Sequence, residues 1–155
     1  IWSLKNYISS TPNQYKLTIP NTCRYYLSGT KRDLNRSGKI IIYAKDETSF
    51  YHLYIMLNSS FGYYWHRICN GGITYTSSLL YNLPVITGDL NLIKSFVQEL
   101  IDNEEKYLTI AKNAGTEQEN IKFTDEQREV LNQYLCNNLQ ITYEKNILIL
   151  FIVIL

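Results

Sequence analysis

The sequence predicts an α+β domain, in which a small, mainly antiparallel sheet or hairpin region precedes helices that pack on one side of it. Three features indicate this class. Short alternating or β-branched runs occupy the first 48 residues, and apolar residues then recur at spacings of three and four. A capping box, Thr-Asp-Glu-Gln at residues 124–127, opens a final helix. With 155 residues, 45% of them hydrophobic, the chain is large enough for one domain.

The expected strands lie in the N-terminal third. Residues 15–19 alternate apolar and polar side chains before a proline, and residues 24–27 form a second short strand. A turn at residues 35–38, Asn-Arg-Ser-Gly, leads into a β-branched run. We expect a hairpin with arms 24–30 and 39–44. Its tip carries four cationic side chains: Lys31, Arg32, Arg36 and Lys39.

The first expected helix covers residues 49–68. Thr48 or Ser49 caps its start, and the pair Gly71 and Gly72 suits its end because glycine adopts left-handed backbone angles. The apolar residues of this helix recur at spacings of three or four: Phe50, Leu53, Tyr54, Leu57 and Phe61.

An extended or irregular link over residues 73–83 follows, and then an amphipathic helix over 89–113 and a loop over 115–120. The amphipathic helix has an apolar stripe of six residues: Leu92, Ile93, Phe96, Val97, Leu100 and Ile101. The final helix, after the capping box, has four residues on its expected buried face: Val130, Leu131, Tyr134 and Leu135.

Charge is distributed unevenly, although the net charge is only +1. Residues 1–72 carry nine Lys/Arg against three Asp/Glu, a net of +6, and residues 73–155 carry six against eleven, a net of −5. A basic, aromatic-rich half is typical of a protein that binds nucleic acid. A solvated basic surface without a partner is the alternative.

No catalytic or metal-binding motif is recognisable. Cys23, Cys69 and Cys136 lie far apart with only two histidines to join them, so we expect reduced thiols and no zinc site. No phosphate-binding glycine motif or nucleophile elbow occurs, and the sequence ties no nucleophile to His66. The chain shows no secretory signal and begins at Ile1, so we expect a fragment or processed product in the cytoplasm.

The most informative stretch is residues 58–75. It contains five consecutive aromatic or cationic residues at 63–67, Tyr-Tyr-Trp-His-Arg, and then the glycine pair. A buried helix takes its aromatic residues at helical spacing, so some of these rings are expected to face a surface. Aromatic rings beside an arginine suit stacking and cation–π contacts.

Six pieces in this order resemble the C-terminal target-recognition region of adenine-specific DNA methyltransferases of restriction–modification systems, of the gamma type with an N-terminal catalytic domain. The pieces are residues 19–26 (Ile-Pro-Asn-Thr-Cys-Arg-Tyr-Tyr), 30–38 (Thr-Lys-Arg-Asp-Leu-Asn-Arg-Ser-Gly), 50–60 (ending Leu-Asn-Ser-Ser), 63–68, 70–75 (Asn-Gly-Gly-Ile-Thr-Tyr) and 79–84 (Leu-Leu-Tyr-Asn-Leu-Pro). The resemblance covers about residues 10–110. Two family features are absent: the catalytic Asn/Asp-Pro-Pro-aromatic signature and the glycine-rich turn that holds S-adenosylmethionine.

The resemblance implies a parent enzyme that transfers a methyl group from S-adenosylmethionine to a flipped adenine in double-stranded DNA, while this region clamps the duplex. It also implies a missing catalytic domain or a separate catalytic chain, and no activity or cofactor in this chain alone. The implied phosphate contacts are Lys31, Arg32, Arg36 and Lys39. The implied groove contacts are Arg24, Arg67, Asn70, Tyr64 and Trp65, with close backbone approach at Gly71 and Gly72.

Several of these residues have a structural alternative. Arg67 is equally suited to stacking on Trp65 or capping a helix end, and Asn70 suits a turn before two glycines. Tyr63, Tyr64 and Trp65 also suit a core that joins the helix to the sheet. The charges at the hairpin tip are alternatively only solvated.

Three other functions compete with the DNA clamp. A specificity subunit would have two recognition regions, and only one is visible. A protein-interaction domain would bind through its aromatic patch without sensitivity to salt. A non-functional gene remnant would fold poorly and expose apolar surface.

We divide the chain into three parts. Residues 1–113 form the target-recognition-like region, 114–139 a C-terminal helical extension, and 140–155 an apolar tail. A buried strand, the start of a truncated membrane span and out-of-frame translation are three explanations of the tail. Its apolar run is about half of the 20 residues that a span needs, so we expect no membrane association.

Overall fold

A computed structural model of the chain describes residues 1–23, 25–113 and 115–141. The described strands form three two-stranded antiparallel sheets. Their strands are β1 (Trp2–Ser3) with β4 (Pro84–Val85), β2 (Lys16–Pro20) with β3 (Lys39–Tyr43), and β5 (Leu108–Asn113) with β6 (Thr116–Ile121). The described α-helices are α1 (Glu47–Asn58), α2 (Ser60–Cys69), α3 (Ser77–Tyr81), α4 (Lys94–Asp102) and α5 (Asp125–Asn138). The α+β class predicted from the sequence is confirmed.

Helix α1 is the centre of the core. Asp46 caps it by accepting a hydrogen bond of 2.7 Å from the backbone N–H of Ser49, and every residue from 49 to 58 is buried. The apolar positions predicted for this helix are all buried. Helix α1 is buried on all sides because several elements pack against it: α2, α4, α5 and strand β2.

The single helix predicted over residues 49–68 is wrong, because the structure has two helices there. Ser59 has an extended backbone conformation and serves as the C-cap of α1 and the N-cap of α2. Its hydroxyl donates to the carbonyl of Met56 over 2.9 Å and accepts from the N–H of Phe61 over 3.2 Å. These bonds satisfy backbone groups at both helix ends, so the direction of the chain changes at this serine.

The predicted hairpin with arms 24–30 and 39–44 is also wrong. Strand β3 pairs instead with β2, from Lys16 opposite Tyr43 to Pro20 opposite Lys39. The described part of segment 24–30 joins this sheet only through a bridge between Thr18 and Thr30. Hydrogen bonds with the side chains of Asn58 and Glu104 hold residues 29–32 instead.

The amphipathic helix predicted over residues 89–113 is shorter than expected. A 3-10 turn, Leu90–Leu92, precedes α4, which ends at Asp102, and strands β5 and β6 replace the predicted helix end and the predicted 115–120 loop. Gly115 makes the turn with a φ of 81°. Leu92 lies outside α4 and is 76% exposed, contrary to its predicted place in the apolar stripe. The link over 73–83 contains α3, which was not predicted.

The final helix is confirmed. Thr124 Oγ1 accepts from the N–H of Gln127 over 3.2 Å, and Gln127 Oε1 accepts from the N–H of Thr124 over 2.9 Å. Leu131, Tyr134 and Leu135 are buried as predicted. Val130 is 44% exposed, contrary to its predicted place on the buried face.

The predicted boundary between residues 113 and 114 falls between the paired strands β5 and β6. Arg24 and the apolar tail at 146–155 lie outside the described residues. Across the ranges that the structure describes, helices are too short or too polar to cross a membrane.

Candidate nucleic-acid interface

Two of the segments that carry the family resemblance lie side by side. The N–H of Cys23 donates to the carbonyl of Ile73 over 2.8 Å, and the N–H of Tyr75 donates to the carbonyl of Asn21 over 2.7 Å. Thr22 and Thr74 form the antiparallel bridge between these bonds. The end of β2 and the chain after Gly71 and Gly72 therefore share one surface, although about 50 residues separate them in the sequence.

The loop at residues 70–72 is held by helix α2. The carbonyl of His66 accepts hydrogen bonds of 3.0 Å from the N–H groups of Asn70 and Gly71. Gly71 has a φ of 68°, the left-handed conformation predicted for the end of a helix. Arg67 Nη1 donates to the carbonyl of Gly71 over 2.8 Å, so this exposed guanidinium borders the loop. Gly72 is exposed beside it.

His66 supports this loop from below, a role that the sequence analysis missed. Its side chain is fully buried, its Nε2 lies 2.8 Å from the carbonyl oxygen of Gly72, and its ring contacts Tyr75 edge to face at 5.3 Å. The only indication of this contact in the sequence is that His66 precedes Gly72 by six residues. The imidazole therefore links the end of α2 to the loop that follows it.

The aromatic run of α2 divides between the core and the surface. Trp65 is half-buried, and its Nε1–H donates to the carbonyl of Leu79 over 3.1 Å, which fixes α3 against α2. Tyr63 and Tyr64 are half-buried with ring centres 6.0 Å apart. Trp65 therefore joins α2 to α3 rather than to the sheet, and Tyr64 lines a surface groove.

The four cations predicted at a hairpin tip have separate environments. Lys31 is exposed, while Arg32 pairs with Glu105 over 2.8 Å. Lys39 Nζ donates to the carbonyl of Leu34 over 2.8 Å. Arg36 is only 8% exposed, contrary to a place at an exposed tip. They do not share a tip because β3 pairs with β2 rather than with residues 24–30.

A cleft of about 740 Å³ opens between the end of β2, the 25–28 loop and the β5–β6 hairpin. Tyr25, which is 82% exposed, and Ile73, which is 57% exposed, both line it. Lys112 is also exposed and lines it from β5. The cleft therefore adjoins the surface formed by the two paired segments.

A second groove of about 210 Å³ lies beyond Tyr25 and Tyr26, which line both hollows. The ring of Tyr26 has two cations near it, Lys122 Nζ at 5.8 Å and the Arg128 guanidinium at 5.7 Å from its centre. Burial raises the pKa of Tyr26, and a hydrogen bond with Thr109 and the charge of Arg128 oppose that rise. The phenol therefore stays protonated at neutral pH.

Five side chains at these two hollows had no functional role predicted from the sequence: Tyr25, Tyr26, Lys112, Lys122 and Arg128. The run Arg-Tyr-Tyr at 24–26 was predicted as part of a strand and carries part of the family resemblance. The two lysines and Arg128 belong to the acidic half of the chain, where the charge balance gave no reason to look for a basic surface. Only the fold brings these three cations close to Tyr25 and Tyr26.

The chain matches none of the known protein families, curated proteins or solved structures with which it was compared. Its residues and their geometry are therefore the basis for assigning a function. Groups of three or more side chains suited to a metal ion do not occur within 1–23, 25–113 and 115–141.

Proposed function

We propose that this chain is the DNA-binding target-recognition part of an adenine-specific DNA methyltransferase of the restriction–modification type. It would bind double-stranded DNA in the cytoplasm, while a catalytic domain or separate chain bearing the methyl-transfer motifs works on the adenine. The pairing of residues 21–23 with residues 73–75 carries this proposal. That pairing joins two of the segments on which the family resemblance rests into one exposed, partly cationic surface.

The surface has suitable side chains for two kinds of DNA contact. Arg67 and Lys112, which are exposed at this surface, would neutralise phosphates, and Lys31 is a third exposed cation with its own environment. Such contacts orient a protein on a duplex without reading its sequence. Asn70 is exposed at the loop end, where its amide is suited to the edge of an adenine. The carbonyl of Gly71 already accepts from Arg67, so a base contact by Arg67 would use its remaining donors.

In this proposal the methyl group is transferred by a catalytic domain or separate catalytic chain, not by this chain. S-adenosylmethionine would supply the methyl group in the complete enzyme, but the glycine-rich turn that holds it is absent from this sequence. What this chain contributes is orientation: it holds the duplex so that an extruded adenine reaches the catalytic part.

Fluorescence anisotropy with a labelled random duplex, measured across a salt series, tests the proposal. We expect weak binding that drops steeply as the salt concentration rises, because phosphate contacts release counterions. Lys31→Ala and Arg67→Ala should each reduce the slope of log K against log salt by about one. Lys5→Ala is the matched control, because Lys5 is an exposed lysine of the 3-10 turn Leu4–Asn6, for which no DNA contact is predicted.

A folded sample that does not bind duplex DNA even at low salt would rule out an independent DNA clamp. Binding that is unaffected by salt would favour a protein-interaction domain instead. Equal loss of slope in Lys5→Ala would show a diffuse charge effect rather than a defined surface.

A further inference from the structure

The cleft beside the 25–28 loop has the size of a small-ligand site. Its volume of about 740 Å³ falls within the range of roughly 300–1,000 Å³ that is typical of such sites. From β6 it is lined by Thr116, Gln118 and Asn120, which are alternate residues of one strand face. Glu119, between the last two, turns its carboxylate to the N–H of Asn35 over 2.7 Å. Strand β6 thus presents neutral polar groups to the cleft.

A buried positive charge borders the cleft. Arg36 donates from Nε to the carbonyl of Gly38 over 2.8 Å, from Nη1 to the carbonyl of Glu119 over 3.1 Å and to Asn120 Oδ1, and from Nη2 to Thr22 Oγ1 over 2.7 Å. All four acceptors are neutral, and a guanidinium has five N–H donors. Among the described residues, no carboxylate pairs with Arg36.

This charge favours an anionic ligand. Buried charges in proteins are normally paired, because a lone charge loses its hydration without recovering an equivalent interaction. Exposed Lys112 adds a second cation at the rim of the same cleft. An anion held between Lys112 and Arg36 would supply the missing negative charge.

The cleft also contains an unused hydrogen-bonding group. The side chain of Ser28 is only 3% exposed, lines the cleft, and has no hydrogen-bond partner for its Oγ among the described residues. Buried hydroxyl groups are almost always hydrogen-bonded, so an unpartnered one at a cleft wall indicates room for a ligand donor or acceptor.

Aromatic surface completes the site. Tyr25 is 82% exposed, which is unusual for a large ring, and Tyr26 is held beside it by Lys122 and Arg128. Exposed rings next to cations are the surfaces on which single nucleobases stack in proteins that bind unpaired strands.

We propose that this cleft binds one unstacked nucleotide, with the base against Tyr25 and Tyr26 and the phosphate directed to Arg36 and Lys112. The nucleotide is either a residue of a nucleic-acid strand or a free mononucleotide, and the same chemistry recognises both. The cleft adjoins the proposed duplex surface and shares Lys112 with it, but Tyr25, Tyr26 and Arg36 are not among the duplex contacts proposed above, so nucleotide binding can be tested apart from duplex binding.

The test is an NMR titration of the 15N-labelled chain with deoxyadenosine monophosphate, deoxyadenosine, inorganic phosphate and a thymidine trinucleotide. We expect the monophosphate to shift amide signals of residues 25–28 and 36–38 and of β6, and to bind about tenfold more tightly than deoxyadenosine or phosphate alone. Tighter binding of the trinucleotide would identify a strand as the source, and tighter binding of the monophosphate a free nucleotide.

Matched variants separate the cleft from general charge and aromatic effects. Tyr25→Ala and Lys112→Ala should each weaken nucleotide binding about tenfold, since both side chains are exposed and their loss leaves the core intact. Tyr81→Ala and Lys106→Ala change the same residue types outside the cleft and should leave binding unchanged. Thermal melting of each variant confirms that it is folded.

Two results would overturn the proposal: no amide shifts at millimolar nucleotide, or equal losses in the cleft variants and their controls. Duplex binding by the same samples distinguishes the two proposals. A chain that binds duplex but no nucleotide retains the DNA clamp and loses this site. A chain that binds nucleotide but no duplex retains this site and loses the DNA clamp.

Discussion

The phenol hydroxyl of Tyr54 donates a hydrogen bond of 2.9 Å to Oε1 of Glu104, and both side chains are buried. The same carboxylate accepts from the hydroxyl of Thr30 over 2.7 Å and from the N–H groups of Lys31 and Arg32 over 2.9 and 3.0 Å. Burial raises the pKa of Tyr54 well above its ordinary value, and the charge of Glu104 adds to that rise. One carboxylate therefore ties the 30–32 segment to α1.

Replacing this carboxylate should destabilise the whole domain. In Glu104→Gln an amide N–H₂ replaces one oxygen and faces donors, so at least one buried donor loses its acceptor. We expect the free energy of unfolding to fall by about 2–3 kcal/mol, measured by urea denaturation. Glu105→Gln is the control: that carboxylate is 79% exposed and forms only a surface ion pair, worth less than about 1 kcal/mol. Similar losses in the two variants would contradict the role assigned to Glu104.

Asn58 has a comparable role for the neighbouring Gly29. Its Oδ1 accepts from the N–H of Gly29 over 3.2 Å, and its Nδ2 donates to the carbonyls of Gly29 and Tyr54 over 2.7 and 2.9 Å. This side chain takes the place of a partner strand for residue 29. Gly29 also has no room for a side chain, since a Cβ would lie 2.6 Å from Cδ1 of Leu57.

We expect Asn58→Asp to lower the free energy of unfolding by about 2–3 kcal/mol, because a carboxylate oxygen would face two carbonyl oxygens in a buried site. Asn82→Asp is matched to it: Asn82 makes a similar bond to the carbonyl of Ser78 over 2.9 Å but is exposed. Thermal melting compares the two. An Asn58→Asp chain as stable as Asn82→Asp would show that the amide is dispensable.

These two side chains also explain where the sequence failed to predict the fold. A capping box is a local signal, so the helix that starts after Thr124 was predicted with its cap. The position of residues 29–32 depends on Asn58 and Glu104, which lie about 29 and 74 positions away along the chain. No local pattern contains that information, so the segment 24–30 was assigned to the sheet.

Strand β6 was missed for a different reason. Its sequence, Thr-Glu-Gln-Glu-Asn-Ile, is polar at all but the last residue and resembles a loop. It forms a strand because β5 supplies a complete ladder of backbone partners, from Leu108 opposite Ile121 to Asn113 opposite Thr116. The candidate site was likewise predicted only in part. Residues 67–72 lie together at the end of one helix and could be recognised from the local sequence. Lys112 reaches the site only because β5 pairs with β6.

The backbone conformation of Gly71 gives a further prediction. Its φ of 68° is strained for any residue with a side chain, so Gly71→Ala should lower the free energy of unfolding by about 1–2 kcal/mol. It should also weaken duplex binding by displacing the loop. Gly72→Ala is the control, because its new Cβ would meet only the side-chain oxygen of Asn70, at 3.2 Å, which can rotate away. Circular dichroism melts and the duplex titration measure both effects. Equal changes in the two variants would argue against a conformational requirement at position 71.

The thiol of Cys23 predicts how stability depends on alkaline pH. Burial raises its pKa from 9.0 to about 12, and the positive charge of Arg67 opposes that rise only in part. The folded chain therefore keeps this thiol protonated at pH values where the unfolded chain has released the proton. This contribution to stability is complete below about pH 9 and is lost as the pH rises towards about 12.

We expect the advantage of the wild type over Cys23→Ala to shrink above about pH 9, by up to roughly 1.4 kcal/mol per pH unit. Urea denaturation of both proteins at several pH values measures this difference. Burial also raises the pKa of Tyr75, and the charge of Cys23 adds to that rise, so part of the difference between the two chains comes from this phenol. Cys69→Ala is the control, because Cys69 is exposed and its difference from the wild type should change less with pH. A difference between the wild type and Cys23→Ala that stays constant from about pH 8 to 11 would show that burial at the junction of residues 21–23 and 73–75 does not keep the thiol protonated.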